Sequence, residues 1–484
     1  MTTMTFTAGH LPGVAHADVA WQTLRFEHHG ARLEVAVPQL TGAQLGALAA
    51  TVREAARTQL KVLRVSEIIA IVDRAIARLL DRRDPVRQEL EQLLPVVSGY
   101  DAETVRLSLT AFLKNFRAPQ LHRFVAEDFG NPKLLDEFQP VVKGGAARAF
   151  GPELLAHSWA GNVPALPLWS LVCGLLVKAG NVGKLPSAEP VFASLFARLL
   201  AEVHPPWAPC LAVVWWKGGD TASAAALHDQ ADVVLAYGGN ETLTQIRDAL
   251  PVTTRFLAHG HKLGVGLVAR SALDARQAPA TARRAALDVT RYDQQGCYSP
   301  HVFYVERGGR CTPRAFAEHL AGELANLAIR FPRRPLALEE AAGVAAWRRA
   351  GQWQAESAPE LLGPPDAPWG VVYRDGLAPF APTGSQRSIE VVAVDTLDAA
   401  IDALAAARPW LQSAGLAAAP AELYRLAERL GAVGVTRIAA LGAMTAPEAG
   451  WHHDGRFNLL DLVRMVEIEA SAEQAAEAFA AYTD

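Results

Sequence analysis

Apolar residues recur at helical spacing along the first third of the chain. Ile68, Val72, Ala75 and Leu79 share one face, and Val105, Leu109, Phe112 and Phe116 share another. Thr41 is placed to cap a helix over 44–60, and Asp101 to cap the one that carries the second stripe. These stripes predict a helical N-terminal region packed through its apolar faces. From about Pro152 the pattern changes to short apolar runs alternating with helical segments. Strands are predicted over 154–159, 181–185, 211–216 and 232–237, and helices over 167–178, 189–203, 222–229 and 241–250. Such alternation implies a parallel sheet covered by helices on both faces. Ligands of these sheets sit at the carboxyl ends of the strands.

A second apolar, glycine-rich region runs over 253–270, and a short strand-like run covers 302–305. Residues 333–379 are rich in Ala, Pro, Trp and Gly and predict irregular connections and a loop cover. A strand over Ser388–Val394 and helices over 397–407 and 421–430 follow. The tail alternates apolar and charged residues over 459–469 and ends in a helix-like 478–482. The uncharged stretch 163–177 holds two prolines and falls short of the roughly 18 apolar residues of a membrane helix. It predicts a buried helix and no membrane span.

The chain has 484 residues, half of them hydrophobic, and a formal net charge of -4. No basic block is present, which argues against nucleic acid as a partner, because duplex binding rests on phosphate neutralisation. The four cysteines form no C-x-x-C pair and match no zinc spacing, so no metal site is expected there. So few cysteines in so long a chain suit a reducing compartment. Residues 1–13 lack the apolar core of a signal peptide. A soluble, cytoplasmic protein is expected. Its organisation is expected to be a helical and dinucleotide-binding part over 1–255, a catalytic part over 256–440, and a returning segment over 441–484.

Cys297 stands in Asp293-Gln294-Gln295-Gly296-Cys297-Tyr298-Ser299-Pro300, a turn just before an apolar strand. A thiol on such a turn suits a nucleophile that holds an acyl group covalently. The alternative is a small buried hydrophobe, which is the reading for Cys173 within its apolar helix; Cys210 and Cys311 are expected to be structural. Gly238-Gly239 follows a strand and opens a helix, where backbone N–H groups and the helix dipole can hold a pyrophosphate. It lacks the G-x-G-x-x-G fingerprint, and a plain tight turn is the other reading. Lys184 ends a strand of the same sheet and can meet ribose or phosphate, or be a solvated strand-end lysine.

The runs His157-Ser158-Trp159-Ala160-Gly161-Asn162-Val163-Pro164 and Leu175–Lys184 resemble the aldehyde dehydrogenase superfamily. More closely, the chain resembles LuxC-type acyl-CoA reductases, long-chain acyl thioester reductases. The resemblance is carried by 160–190, 211–220, 256–268, 293–306 and Trp451-His452-His453-Asp454-Gly455-Arg456. It implies an aldehyde dehydrogenase-like α/β fold, with a cofactor-binding parallel-sheet domain, an α/β catalytic domain and a helical N-terminal region. It also implies Cys297 as nucleophile, Asn162 as an oxyanion donor and Lys184 as a ligand of the adenosine ribose. Fatty acyl-CoA or an acylated partner protein is the implied donor, and a homo-oligomer is the expected state.

Two departures from the superfamily pattern are informative. Ala258, in Leu257-Ala258-His259-Gly260-His261-Lys262, stands where hydrolytic members carry a glutamate base, so the acyl-enzyme is expected to await a thiol or a hydride. Ser187 stands where many NAD-using members carry a glutamate against the ribose 2′-OH. Losing that charge admits a 2′-phosphate and favours NADPH. No counterpart of the nicotinamide-ribose glutamate is found near 385–388.

The mechanism expected is attack by the Cys297 thiolate on an acyl thioester, with Asn162 and the Cys297 N–H stabilising the oxyanion. Hydride from NADPH then gives the aldehyde. Thiolate support is expected from local N–H groups, the positive nicotinamide after turnover, His261 or His301, with a structural role open for both histidines. His452-His453-Asp454 predicts a surface or active-site loop. The alternatives are a hydrolytic aldehyde dehydrogenase and a non-reducing acyltransferase using Cys297.

Overall fold

The computed structural model describes residues 3–350 and 359–481. The chain opens not with a helix but with three strands. Thr3–Thr7 runs parallel to Ala31–Gln39, which pairs antiparallel with Ala20–His28. His29 and Gly30, with φ of 46° and 77°, make the tight reversal that suits the twist of a hairpin.

The predicted helices follow as Gly42–Gln59, Val65–Leu80, Pro85–Ser98, Ala102–Leu113 and Ala118–Phe129. Thr41 closes a capping box with Gln44, and Asp101 accepts the N–H groups of Glu103 and Thr104. Ile68, Val72, Ala75 and Leu79 are fully buried, as their spacing requires.

The alternating region folds into a parallel sheet in the order Arg255–His259, Val233–Tyr237, Leu154–Ser158, Gly180–Lys184, Leu211–Val214. Helix Pro167–Leu176 packs against it with every residue buried. Close packing is explicit at Gly183, where a Cβ would come within 1.8 Å of the Trp159 ring. Trp159 is held there by a bond from Nε1 to Ser170 Oγ at 2.9 Å, which anchors the loop that carries Asn162.

A second sheet is built from Glu360–Leu362, Gly370–Asp375, Ser388–Val394, Pro300–Glu306, Leu263–Val268, Leu411–Ala417 and Arg437–Ala440, in that spatial order. Its strands are parallel except the first pair. Helices Gln277–Thr290 and Pro313–Arg330 cover one face. Residues 333–379, read as irregular, contain helix Leu338–Ala350 and two of these strands. That helix buries only Val344, so it carries no apolar stripe to read. A small antiparallel sheet joins Arg464–Ile468 to Ala146–Phe150 and Gln139–Pro140. The last helix is Ala470–Glu477, ahead of the predicted 478–482, of which 482 lies outside the described residues. It buries nothing, so only propensity marks it. No described helix is long and apolar enough to cross a membrane.

Candidate active site

Cys297 lies on the loop between helix Gln277–Thr290 and strand Pro300–Glu306. The loop is strained: Tyr292, Asp293 and Gln294 have φ of 51°, 48° and 61°. Non-glycine residues there cost of order 1–3 kcal/mol each. Buried contacts hold the shape. Arg387 Nε donates to Asp293 Oδ1 at 2.6 Å, with both side chains almost wholly buried (2% and 1% exposed). Arg387 also donates to the Phe331 carbonyl at 2.7 Å. Gln294 Nε2 donates to the carbonyls of Pro300 and Ser388, and its Oε1 accepts the Ser388 N–H. Ser385, Gln386 and Arg387 are left-handed as well. Residues 385–388, which offer no glutamate for a nicotinamide ribose, therefore clamp the cysteine loop.

Cys297 is half-buried and opens onto a cavity of about 420 Å³. That is within the roughly 300–1,000 Å³ of small-molecule pockets. Phe112, Val163, Leu166, Leu287, Leu327 and Phe331 give it apolar walls, Arg283 and Arg330 stand among its polar residues, and Tyr237 and His453 share it with the cysteine. Burial pushes the Cys297 thiol up to about 12, and the charge of Asp454 adds to this. The resting group is therefore a neutral thiol.

Asn162 reaches this loop. Its Nδ2 donates to the Gln295 carbonyl at 2.8 Å, two residues before the cysteine. The Tyr100 hydroxyl bridges the carbonyls of Asn162 (3.2 Å) and Tyr292 (3.0 Å), tying the two loops together. A primary amide carries two N–H groups, so one remains for an oxyanion.

Lys184, Gly238 and Gly239 lie along one edge of the five-stranded sheet, at the carboxyl ends of strands separated by Leu154–Ser158. Two strand spacings set them roughly 10 Å apart laterally. The Lys184 ammonium stands 6.0 Å from the Trp216 ring centroid, and burial lowers its pKa with no carboxylate to offset it. A Cβ at Gly239 would meet nothing within 4 Å, so the N-terminus of helix Asn240–Ala249 is open. Ser187 is exposed beside Lys184 and accepts a bond from Trp215 Nε1 at 3.1 Å. Among the described residues the lysine has no carboxylate partner, and with the open helix start it makes a donor set that fits the phosphates of a dinucleotide.

The structure does not bring His261 to the cysteine. It follows Gly260 on the link between the two sheets, its side chain is exposed, and it is not part of the cavity wall. His301 is buried on its strand, bonded to Thr383 Oγ1 at 3.1 Å, and burial lowers it to about 4. The imidazole that shares the cavity wall with Cys297 is instead His453, and His259 stacks on it at 4.0 Å. Asp454 lies between them, with Oδ2 accepting His259 Nδ1–H at 2.8 Å. Ala258, the residue in place of a base, is exposed at the end of its strand. The sequence signal for the cluster was His452-His453-Asp454; only folding reveals that His453 and Asp454 meet His259 while His452 stays exposed. The three donor atoms lie within 4.8 Å of one another. The two rings are tilted by only 11°, so their lone pairs run side by side rather than converging on one ion, and the group reads as proton-sharing. Cys173 is 2% exposed, a core residue.

Residues 60–465 match the family profile described as acyl-CoA reductase (LuxC). A long-chain acyl-protein thioester reductase of Photorhabdus luminescens is 30% identical over 187 residues, which is 38% of this chain and 38% of that protein. The aligned part thus spans well under half of that relative's length. Among solved structures, aldehyde dehydrogenase 21 of Physcomitrella patens, in complex with the reaction product succinate, superposes with a TM-score of 0.74 at 12% identity, covering 97% of this chain and 99% of that one. The NADP-dependent glyceraldehyde-3-phosphate dehydrogenase of Bacillus halodurans, complexed with NADP, gives 0.71 at 12% identity, over 93% and 96%. The fold is aldehyde dehydrogenase-like.

Proposed function

The chain belongs to the acyl-CoA reductase (LuxC) family, and from that premise we propose that it reduces a fatty acyl thioester to the aldehyde, with Cys297 as acyl carrier and NADPH as reductant. The observation that carries this reading is a thiol on the wall of a largely apolar cavity, on a loop to which the Asn162 amide from a separate loop is bonded two residues away. The apolar walls suit a fatty chain, whose burial is favourable by about 25 cal/mol per Å². Cys297 attacks the thioester carbonyl, and the free N–H of Asn162 with the Cys297 backbone N–H receives the oxyanion. The donor thiol departs and the acyl group stays on sulfur.

Lys184, Ser187 and the Gly238-Gly239 turn would hold NADPH, with Ser187 leaving room for the 2′-phosphate. When bound, the reduced nicotinamide supplies the hydride that turns the acyl group into an aldehyde. Asn162 and the loop N–H hold the oxygen in place through that change, and the Cys297 sulfur then leaves. Both CoA and an acylated partner protein fit as donors; the named relatives favour the protein.

The test is to mix the protein with a fatty acyl-CoA and NADPH and follow NADPH loss and aldehyde formation. Cys297→Ala should abolish both; aldehyde formation at the wild-type rate in that variant defeats the reading. A hydrolytic reading gains one observation, the imidazole of His453 on the cavity wall. Fatty acid released without NADPH, faster than aldehyde is formed with it, selects that alternative.

A further inference from the structure

Acyl transfer to a neutral thiol requires a proton to leave Cys297 and another sulfur to receive one. The cavity that Cys297 opens onto holds a group that the steps above do not use. His453 is buried and shares the cavity wall with the thiol. Its ring stacks on His259, with Tyr237 at 4.9 Å from His259 and 6.1 Å from His453, and Trp451 against His453 at 4.7 Å.

Asp454 serves both imidazoles. Its Oδ2 accepts from His259 Nδ1 and lies 3.9 Å from His453 Nε2. Its Oδ1 accepts from Gln412 Nε2 at 2.6 Å. Gln412 is fully buried, and among the described residues its Oε1 has no partner. Asp454 has a φ of 55°, a strained conformation that its bonds to His259 and Gln412 sustain. Packing alone does not call for such a group, because an apolar cluster of similar volume is as stable or more so.

Resting on the acyl-transfer reading above, we infer that His453 is a catalytic proton carrier: it takes the Cys297 proton as the sulfur attacks and delivers it to the departing sulfur, while Asp454 and His259 position it. The Cys297 S–H bond and the donor's acyl carbon–sulfur bond break; the Cys297 sulfur–acyl bond and the donor's S–H bond form. No electrons are gained or lost. Burial, with His259 adding to it, holds the imidazole at about 3, so no thiolate–imidazolium pair is populated at rest. The proton moves only as the new bond forms. Asp454, which burial alone would raise, is kept well below the usual carboxylate range by His259 and His453 and stays anionic to receive the imidazolium.

The test uses His453→Gln in the full chain and follows acylation by intact mass without NADPH. Two thioesters of one fatty acid are compared: the CoA ester, whose thiolate leaves poorly without a proton, and a thiophenyl ester, whose thiolate leaves unaided. The variant should slow both esters, because each needs the Cys297 proton removed. It should slow the CoA ester by about tenfold or more beyond the aryl ester, because only its thiolate needs a proton to leave; general acid–base help is usually about 100-fold or more in all. Equal slowing of the two esters, or no slowing, overturns the inference. Asp454→Asn keeps the side-chain shape and should show the same selective loss in smaller measure; it decides the matter if His453→Gln does not fold, and equal slowing there is also fatal. If the unaltered protein takes no acyl group on Cys297 from either ester, the acyl-transfer reading fails, and this one with it.

Discussion

Cys297 should react slowly with a small disulfide reagent, and its rate should keep climbing with pH. With the thiol at about 12, only about one molecule in ten thousand carries thiolate at pH 8, against roughly one in four for a free cysteine of pKa about 8.5. That alone makes Cys297 about 2,500-fold slower. A more basic thiolate is a better nucleophile; with a Brønsted slope of about 0.4–0.5 over about 3.5 pH units, it regains roughly 25- to 55-fold. The net expectation is a rate about 50- to 100-fold below free cysteine at pH 8, before any steric hindrance. Hindrance scales every rate equally, so the slope is the sharper readout. The logarithm of the rate should rise by about one per pH unit from about 7 to about 10, because only the thiolate fraction changes. The assay is exchange with a pyridyl disulfide in the His453→Gln variant, where no imidazole takes the proton and only thiolate attacks, with Cys297→Ala as the blank for half-buried Cys311. Asp454→Asn removes a negative charge that raises the thiol, so it should speed the reaction several-fold at fixed pH. A plateau below about pH 10, or a rate equal to free cysteine, would refute the claim that the resting group is a buried neutral thiol.

Asn162→Ala should lower single-turnover acylation by about 100- to 1,000-fold with little effect on stability, since the side chain is exposed; quench-flow with intact mass measures the first and thermal unfolding the second. Ser187→Glu should weaken NADPH binding by at least about tenfold through repulsion of the 2′-phosphate and leave NADH binding less affected; titration of nucleotide fluorescence checks both, and an unchanged preference removes the argument. Arg387→Met leaves the Asp293 carboxylate buried with only the Arg334 N–H at 3.2 Å, so it should destabilise the protein by about 3–5 kcal/mol. Urea unfolding reads that loss, and Asp293→Asn added to it should recover part.

Much of the fold was legible because its signals are local. The buried stripe of Ile68, Val72, Ala75 and Leu79, the caps at Thr41 and Asp101, and the apolar runs 211–214 and 233–237 each show within a few residues. Of the opening hairpin, Ala31–Gln39 carries a strand signal in its alternating buried Leu33, Val35 and Val37, while Ala20–His28 is partly exposed along its whole length and offers no buried face to read. Helix Leu338–Ala350 was missed for the same lack of a buried stripe. Short motifs mark Cys297 and Asn162 as candidates, and the fold brings their loops together. His261 is near the deacylation position in sequence, yet its side chain is exposed and off the cavity wall, because nearness in sequence does not fix direction in space.

The chain's own order of residues determined the alternation that builds the parallel sheet, the strand ends at Lys184 and Gly238, and the turn that carries the thiol. Each depends on neighbours a few positions away. Tertiary structure alone decided which polar groups surround the sulfur. Asp454 meets His259 from 195 positions along the chain, and Arg387 meets Asp293 from 94. Such pairs leave no periodic trace. Their protonation and the strained loop they hold arise only once folding has removed water from around them.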